Sequence, residues 1–118
     1  MKSFEKCLND FLYGVELTKN IDYLDAKSIR KNNQGVNLYR KSAKYIAKYH
    51  STRTDEFINL LNCNDADVQV CCAVCLVEFM NETIMDKGLI KNIIFKNLAN
   101  ADQAEKMGWE IWLSKFDL

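Results

Sequence analysis

The sequence predicts an all-α protein built as a stack of short helices. Apolar residues recur at spacings of three and four along most of the chain, strand-like alternation is weak, and there is no proline to interrupt a helix. The 118 residues, 48% of them hydrophobic, are enough for one domain with one core. We therefore treat residues 1–118 as a single helical domain.

The first half of the chain is predicted to hold three helices. The first follows the apolar residues from Phe4 to Val15, and a short second helix carries Leu24 and Ile29. The segment KNNQG, residues 31–35, favours a turn because Asn and Gly are common in turns, with one helix running through it as the open alternative. A third helix then runs over VNLYRKSAKYIAKYH.

The second half is predicted to add short helices joined by turns of a few residues. Asn64 or Asp65 is placed to cap the helix that follows the turn NCND, and a later helix spans roughly residues 82–98. The last helix is expected to turn one apolar stripe inward, formed by Ala104, Met107, Ile111 and Trp112. Six or seven helices would then stack in antiparallel pairs.

The stretch DADVQVCCAVCLVEF, residues 65–79, raises the question of a metal or redox site. Cys72 and Cys75 are spaced as C-x-x-C, but a structural zinc site needs four ligands, and the other thiols and the one histidine, His50, stand singly. A redox dithiol is expected at a helix N-terminus after a strand, and Cys72 lies in mid-helix. No metal or other cofactor is therefore expected.

The same stretch is better explained as the buried middle helix of the stack. At about 100° per residue, one arc of the helix holds Val68, Cys72, Cys75, Leu76 and Phe79, and the opposite side is also largely apolar. A helix that is apolar nearly all round is buried on more than one side, and cysteine packs there as a small hydrophobe. The odd number of cysteines, five, favours a reduced, cytoplasmic protein.

Charge is distributed unevenly along the chain. Residues 1–50 carry a net charge of +5 and residues 51–118 carry −5, so the total is zero. Residues 26–54 include eight Lys and Arg and no acid, and three tyrosines lie among them, a mixture found in nucleic-acid binders. The neutral total and the pI near 6.6 argue against direct nucleic-acid binding. No apolar run is long enough to span a membrane.

A resemblance to a known family is carried by EFINLLNCNDADVQVCCAVCLVEF, residues 56–79. It resembles a HEAT-type helical hairpin, in which a paired Leu and an Asn/Asp turn precede a helix of the form D-x-x-V-x-x-x-A-A-x-x-L. Gln69 stands where such hairpins often have Arg, and Cys72 replaces a small Ala. The matching positions are Leu60, Leu61, Asp65, Val68, Cys72, Ala73 and Leu76. The fold implied is a HEAT-like, right-handed stack.

Residues 20–116 are similar to a small bacterial family of HEAT-like domains that includes immunity proteins of polymorphic toxin and contact-dependent growth inhibition systems. The resemblance implies an antitoxin, not an enzyme, that occludes one cognate toxin domain. The acidic second half would suit a nuclease toxin with a basic cleft. We expect outward carboxylates and an exposed tryptophan to form the partner-binding surface: Glu78, Glu82, Asp86, Asp102, Glu105 and Trp109.

Two other functions remain open on the sequence. One is a general helical adaptor whose partner is not a toxin, because helical repeats serve many unrelated binding functions. The other is a small RNA- or DNA-binding protein that uses the basic stretch of residues 26–54. Carboxylates at helix starts and the lone His50 are read as caps and a helix terminus, so catalysis is not expected.

Overall fold

The chain folds into helices, and the computed structural model describes residues 1–81, 86–99 and 101–118. No strand occurs within these ranges, and a short 3-10 turn lies on either side of α3, at Ser51–Arg53 and Asn59–Asn62. The helices are α1 (Phe4–Leu17), α2 (Ala26–Tyr49), α3 (Thr54–Ile58), α4 (Ala66–Phe79), α5 (Lys87–Leu98) and α6 (Gln103–Lys115). The all-α prediction is confirmed, and the helices form a stack as expected.

Side-chain caps fix where most of these helices begin. At each capped start a hydroxyl or carboxylate accepts a backbone N–H of the first turn, which satisfies a donor that has no partner within the helix. The caps are Ser3 for α1, Asp25 for α2, Asp65 for α4, Asp86 for α5 and Asp102 for α6. The predicted cap at Asp65 is confirmed.

Helix α2 continues through residues 31–35, so the predicted turn there is wrong and the open alternative of one helix is correct. Gly35 lies where α2 crosses α1, opposite Gly14. A Cβ atom built on Gly35 would lie 2.5 Å from the Gly14 carbonyl oxygen, and one on Gly14 would lie 2.7 Å from the Tyr39 nitrogen. The glycine serves close helix packing rather than a turn.

Helix α4 lies at the centre of the stack, as predicted. It contacts α1, α2, α3 and α5, and Val68, Cys72, Cys75 and Leu76 are all buried. Beside it, the rings of Phe11 and Phe57 meet edge to face at 4.9 Å. The buried side chains of the described residues form one cluster. None of the described helices is both long and apolar enough to cross a membrane.

Phe79, at the end of α4, is only half-buried, which corrects its assignment to the core. It packs against the core cluster on one side. On the other side the Arg40 guanidinium and the Lys44 ammonium lie 5.0 and 5.1 Å from its ring centroid. The ring therefore joins the core to the positively charged surface of α2 through cation–π contacts.

The inward side of α6 differs from the predicted one except at Trp112, which packs against the core as expected. Met107 and Ile111 are 54% and 68% exposed, whereas Leu113 is buried and Trp109 packs against the core. The sequence contains two apolar stripes on this helix. The inward stripe is the larger and more aromatic one, consisting of Trp109, Trp112, Leu113 and Phe116. Aromatic rings bury more area per residue, so this stripe gains more on packing.

Candidate functional site on helices α4 and α6

The structure separates the six residues expected to bind a partner. Asp86 and Asp102 are exposed, but their carboxylates cap α5 and α6 by accepting the backbone N–H of Leu89 and Glu105. Glu105 is exposed on the first turn of α6. Glu82 lies outside the described residues. The remaining two, Glu78 and Trp109, are turned toward the interior, so their predicted outward orientation is wrong.

Glu78 joins three helices. Its Oε2 accepts a hydrogen bond from Arg40 Nη1 of α2 at 2.6 Å, and its Oε1 accepts one from Trp112 Nε1 of α6 at 3.2 Å. The side chain is 19% exposed and that of Arg40 is 35% exposed. Charge-assisted hydrogen bonds in partly buried positions are stronger than surface pairs. Glu78 therefore connects α4 to α2 and α6 inside the fold.

Trp109 belongs to an aromatic row along the inward side of α6. The rings of Trp109 and Trp112 meet edge to face at 5.6 Å, and those of Trp112 and Phe116 lie 5.1 Å apart. Beside this row is an open cleft of about 340 Å³ between α4 and α6, lined by Val74, Glu78, Gly108, Trp109 and Trp112. The walls of this cleft are mostly apolar, because the rings of Trp109 and Trp112 remain partly accessible there.

The opposite side of α6 presents an apolar surface that we call the α6 outer face. It consists of Met107 and Ile111, with Ala104 one turn before them, all exposed. A shallow groove of about 570 Å³ runs along it, between Met107 and Ile111 and the polar side chains of Glu110, Ser114 and Lys115. An apolar centre with a polar rim is the usual make-up of a protein-binding surface.

The sequence predicts that Ala104, Met107 and Ile111 lie in the core, whereas the structure exposes them. The spacing of 104, 107 and 111 is that of a buried helical stripe, and the spacing of 109, 112, 113 and 116 is equally so. A helix with two such stripes must bury one and expose the other unless it has neighbours on both sides. The presence of a second, aromatic stripe in the sequence therefore indicates that α6 has an exposed apolar face.

The cysteines are packed as thiols. Cys7, Cys72 and Cys75 are at most 1% exposed, and Cys72 Sγ donates to the Phe57 carbonyl oxygen at 3.3 Å. Burial raises the pKa of Cys71 to about 11 and raises the pKa values of Cys72 and Cys75 well above that of an ordinary thiol. Neutral, enclosed thiols are poor nucleophiles and poor metal ligands. Within the described ranges, no group of three or more His, Cys, Asp or Glu could hold a metal ion.

The single histidine, His50, makes contacts that hold two parts of the fold together. His50 caps the C-terminus of α2, and its Nε2 lies 2.8 Å from the Lys2 carbonyl oxygen, within hydrogen-bond distance. Its ring meets the edge of Phe4 at 6.1 Å. These contacts connect the chain before α1 to the end of α2. His50 is thus placed to connect two parts of the fold.

The opposite charges of the two halves are partly paired with each other. Lys19 bonds to Asp65, and Arg40 to Glu78, across 46 and 38 residues of sequence. Arg53 pairs with both Glu5 and Glu56. Of the carboxylates that make the second half acidic, Glu56, Asp65 and Glu78 thus form close ion pairs within the fold. From Asp86 onward, Asp and Glu are matched by an equal number of lysines: Lys87, Lys91, Lys96, Lys106 and Lys115.

The fold and these surfaces define a class, an all-α helical stack with an exposed apolar face on α6. Comparisons with protein-family models, curated proteins and solved structures find no match to this chain.

Proposed function

We propose that the chain is a binding protein that holds a partner protein on the α6 outer face and performs no chemistry of its own. The observation that carries the proposal is the exposure of Met107 and Ile111 on the last described helix of the stack. Neighbouring exposed apolar side chains that are bordered by polar residues often mark an interaction site. Here the outer surface has the apolar composition of a surface that is covered in a complex.

The resemblance of residues 20–116 to HEAT-like immunity proteins suggests which kind of protein this partner is. We propose a cognate toxin domain that is blocked by occlusion. The proposal does not extend to a nuclease toxin, because the carboxylates of α5 and α6 are matched by lysines. The exposed carboxylates Asp86, Asp102 and Glu105 would belong to the polar rim of the contact, where charges affect association rate more than affinity.

The test is binding and protection by variants of the α6 outer face. In Met107→Gln with Ile111→Gln, we expect affinity for the toxin encoded beside this protein's gene to fall by about 30-fold or more, the effect of removing a hot-spot pair. Both side chains are exposed, so the fold should be unchanged by circular dichroism. The measurement is titration calorimetry, together with rescue of cells that express the toxin.

Leu24→Gln is the matched control, because Leu24 is an exposed apolar residue away from α6. It should bind and protect like the wild type. Equal binding by the double variant would contradict the proposal. So would a concentration-dependent dimer, detected by light scattering and lost in the double variant, since a second copy would then be the occupant of this face.

A further inference from the structure

Helix α2 carries the most concentrated charge of the described structure on one side. Six cationic side chains there are exposed to solvent. At about 100° per residue they fall within an arc of about 140°. We call this surface the basic face of α2, and it consists of Lys27, Arg30, Lys31, Lys41, Lys44 and Lys48. The opposite side of the same helix is buried, with Gly35, Ala43 and Ile46 in the core.

Within the described residues, the basic face has no carboxylate partner that would neutralise it. Helix α2 contains no Asp or Glu over its 24 residues. Among the described residues, the salt bridges of the stretch 26–54 involve Arg40 and Arg53, and none involves the six residues of the basic face. The contacts of Lys44 with the ring of Phe79 and of Lys48 with the ring of Tyr49 preserve their charges.

The neutral total charge of the chain hides this surface. Many of the carboxylates that balance it are paired elsewhere, as in Asp65 with Lys19 and Glu78 with Arg40. Binding of a polyanion depends on the local field, which is the sum over nearby charges and falls off within about 10 Å at ordinary ionic strength. A neutral total charge is therefore compatible with binding of a polyanion on this face.

We propose that the basic face of α2 binds the sugar–phosphate backbone of a nucleic acid. The charges run from Lys27 to Lys48, about 32 Å along a helix that rises 1.5 Å per residue, so several successive phosphates can be contacted at once. Lysine is depleted from the centres of protein–protein interfaces, which favours phosphates over an acidic protein as the ligand.

Two tyrosines at the end of the face add a surface for bases. The rings of Tyr45 and Tyr49 lie with their centroids 4.5 Å apart and their planes tilted by 42°, and Tyr49 is 45% exposed. Base–aromatic stacking tolerates any sequence, and phosphate contacts carry no sequence information directly. The binding is accordingly sequence-independent. It is separate from partner binding on α6, because the two faces belong to different helices.

The experiment measures fluorescence anisotropy of labelled single-stranded RNA and duplex DNA of equal length, from about 50 to 200 mM salt. Six phosphate contacts predict a slope of about −5 for log K against log salt on the duplex, since each contact contributes about −0.9. The face variant combines Arg30→Gln, Lys41→Gln and Lys48→Gln. It should make the slope shallower by about 3 and weaken binding at low salt at least about tenfold.

The matched control combines Lys91→Gln, Lys96→Gln and Lys106→Gln, which removes the same charge from exposed positions on α5 and α6. It should keep the wild-type slope. A second variant, Lys41→Arg with Lys48→Arg, keeps the charge and should bind like the wild type. Circular dichroism checks that each variant is folded, as expected because Gln and Lys have similar helix propensities.

Several results would overturn the proposal. These are no anisotropy change at low salt, equal slopes for the face variant and the wild type, or an equal loss in the control variant. Polyglutamate competing as well per charge as RNA would assign the face to acidic protein segments. Binding to phosphatidylserine vesicles without binding to either nucleic acid would assign it to a membrane surface.

Discussion

At the scale of single residues, two carboxylates on α4 connect distant parts of the chain. Asp65 caps α4 through the backbone N–H groups of Asp67 and Val68 and also accepts a hydrogen bond from Lys19. Glu78, at the other end of the helix, accepts hydrogen bonds from Arg40 and Trp112. Asp65 therefore both caps α4 and holds Lys19, whereas Glu78 connects α4 to α2 and α6.

Asp65 gives a prediction about pH. The hydrogen bond from Lys19 holds the pKa of folded Asp65 below its usual range, so this group stabilises the fold above the unfolded pKa of about 3.9. That contribution is lost as the pH falls through the folded pKa. Asp65→Asn keeps the cap and removes the charge, so its stability should converge with that of the wild type in acid. Asp65→Ala should cost a further 0.5–2 kcal/mol, roughly, at neutral pH.

Urea denaturation at neutral and acidic pH checks this prediction. Asp67→Asn is the control, because the Asp67 carboxylate is more exposed and lies 3.9 Å from the Lys19 nitrogen. It should change stability little at either pH. A difference between Asp65→Asn and the wild type that stays constant as the pH falls would show that the Lys19 contact does not stabilise the fold.

At the scale of the elements, the crossing of α1 and α2 depends on two glycines facing each other. The close approach of Gly14 and Gly35 brings α2 onto α1 along a long contact and holds Tyr39 near Phe11, with ring centroids 5.7 Å apart. The inner side of α2 is fixed by this crossing. Its basic face is therefore directed to solvent by the same contact.

Alanine substitutions test the crossing. In an ordinary helix interior, Gly→Ala stabilises by about 0.5–1 kcal/mol. At Gly35 the new methyl group would meet backbone at 2.5 Å, so we expect Gly35→Ala to destabilise by about 1–3 kcal/mol, as overpacking does. Gly14→Ala should behave alike. The measurement is the thermal midpoint of unfolding.

Gly108→Ala is the matched control for these substitutions, because nothing lies within 4 Å of a Cβ built at this helical position. It should stabilise the protein by about 0.5–1 kcal/mol. If Gly35→Ala is as stable as Gly108→Ala, the two helices do not approach as closely as described here.

At the scale of the whole molecule, one core and two exposed faces organise the described residues. The core contains the central helix α4, with Cys72 and Cys75 buried and Cys71 packed against the buried cluster. The α6 outer face and the basic face of α2 lie on separate helices. Substitutions on either face should therefore alter one kind of binding without loosening the core.

Thiol reactivity measures whether the core is closed as a whole. Cys7, Cys72 and Cys75 are enclosed, so they should react with a disulfide reagent only through opening of the fold, while Cys63 and Cys71 are half-buried. We expect at most two thiols to react promptly in the native protein and all five in concentrated guanidinium chloride. Prompt reaction of four or five native thiols would show that α4 is not the closed centre of the stack.

The sequence by itself determined the features that depend on local chemistry. Helical spacing predicts the all-α class, and the apolar surface of residues 65–79 predicts the central place of α4. The position of Asp65 directly before α4 predicts that it caps this helix. The mid-helix position of Cys72 and Cys75 predicts that they pack in the core, and both are buried. Periodicity and capping act over a few residues, so one segment of sequence is enough to recognise them.

Only the tertiary structure decided the choices that depend on a distant neighbour. Gly35 indicates a turn in the sequence, but in the fold it lies within the continuous helix α2 and allows the close approach of Gly14. Helix α6 has two apolar stripes, and the shape of the core selected the aromatic one for burial. The charge of residues 26–54 forms a surface feature because, within residues 1–81, 86–99 and 101–118, only Arg40 and Arg53 of this stretch pair with carboxylates. Each of these outcomes depends on contacts between residues that are far apart in sequence. Local periodicity carries no information about such contacts.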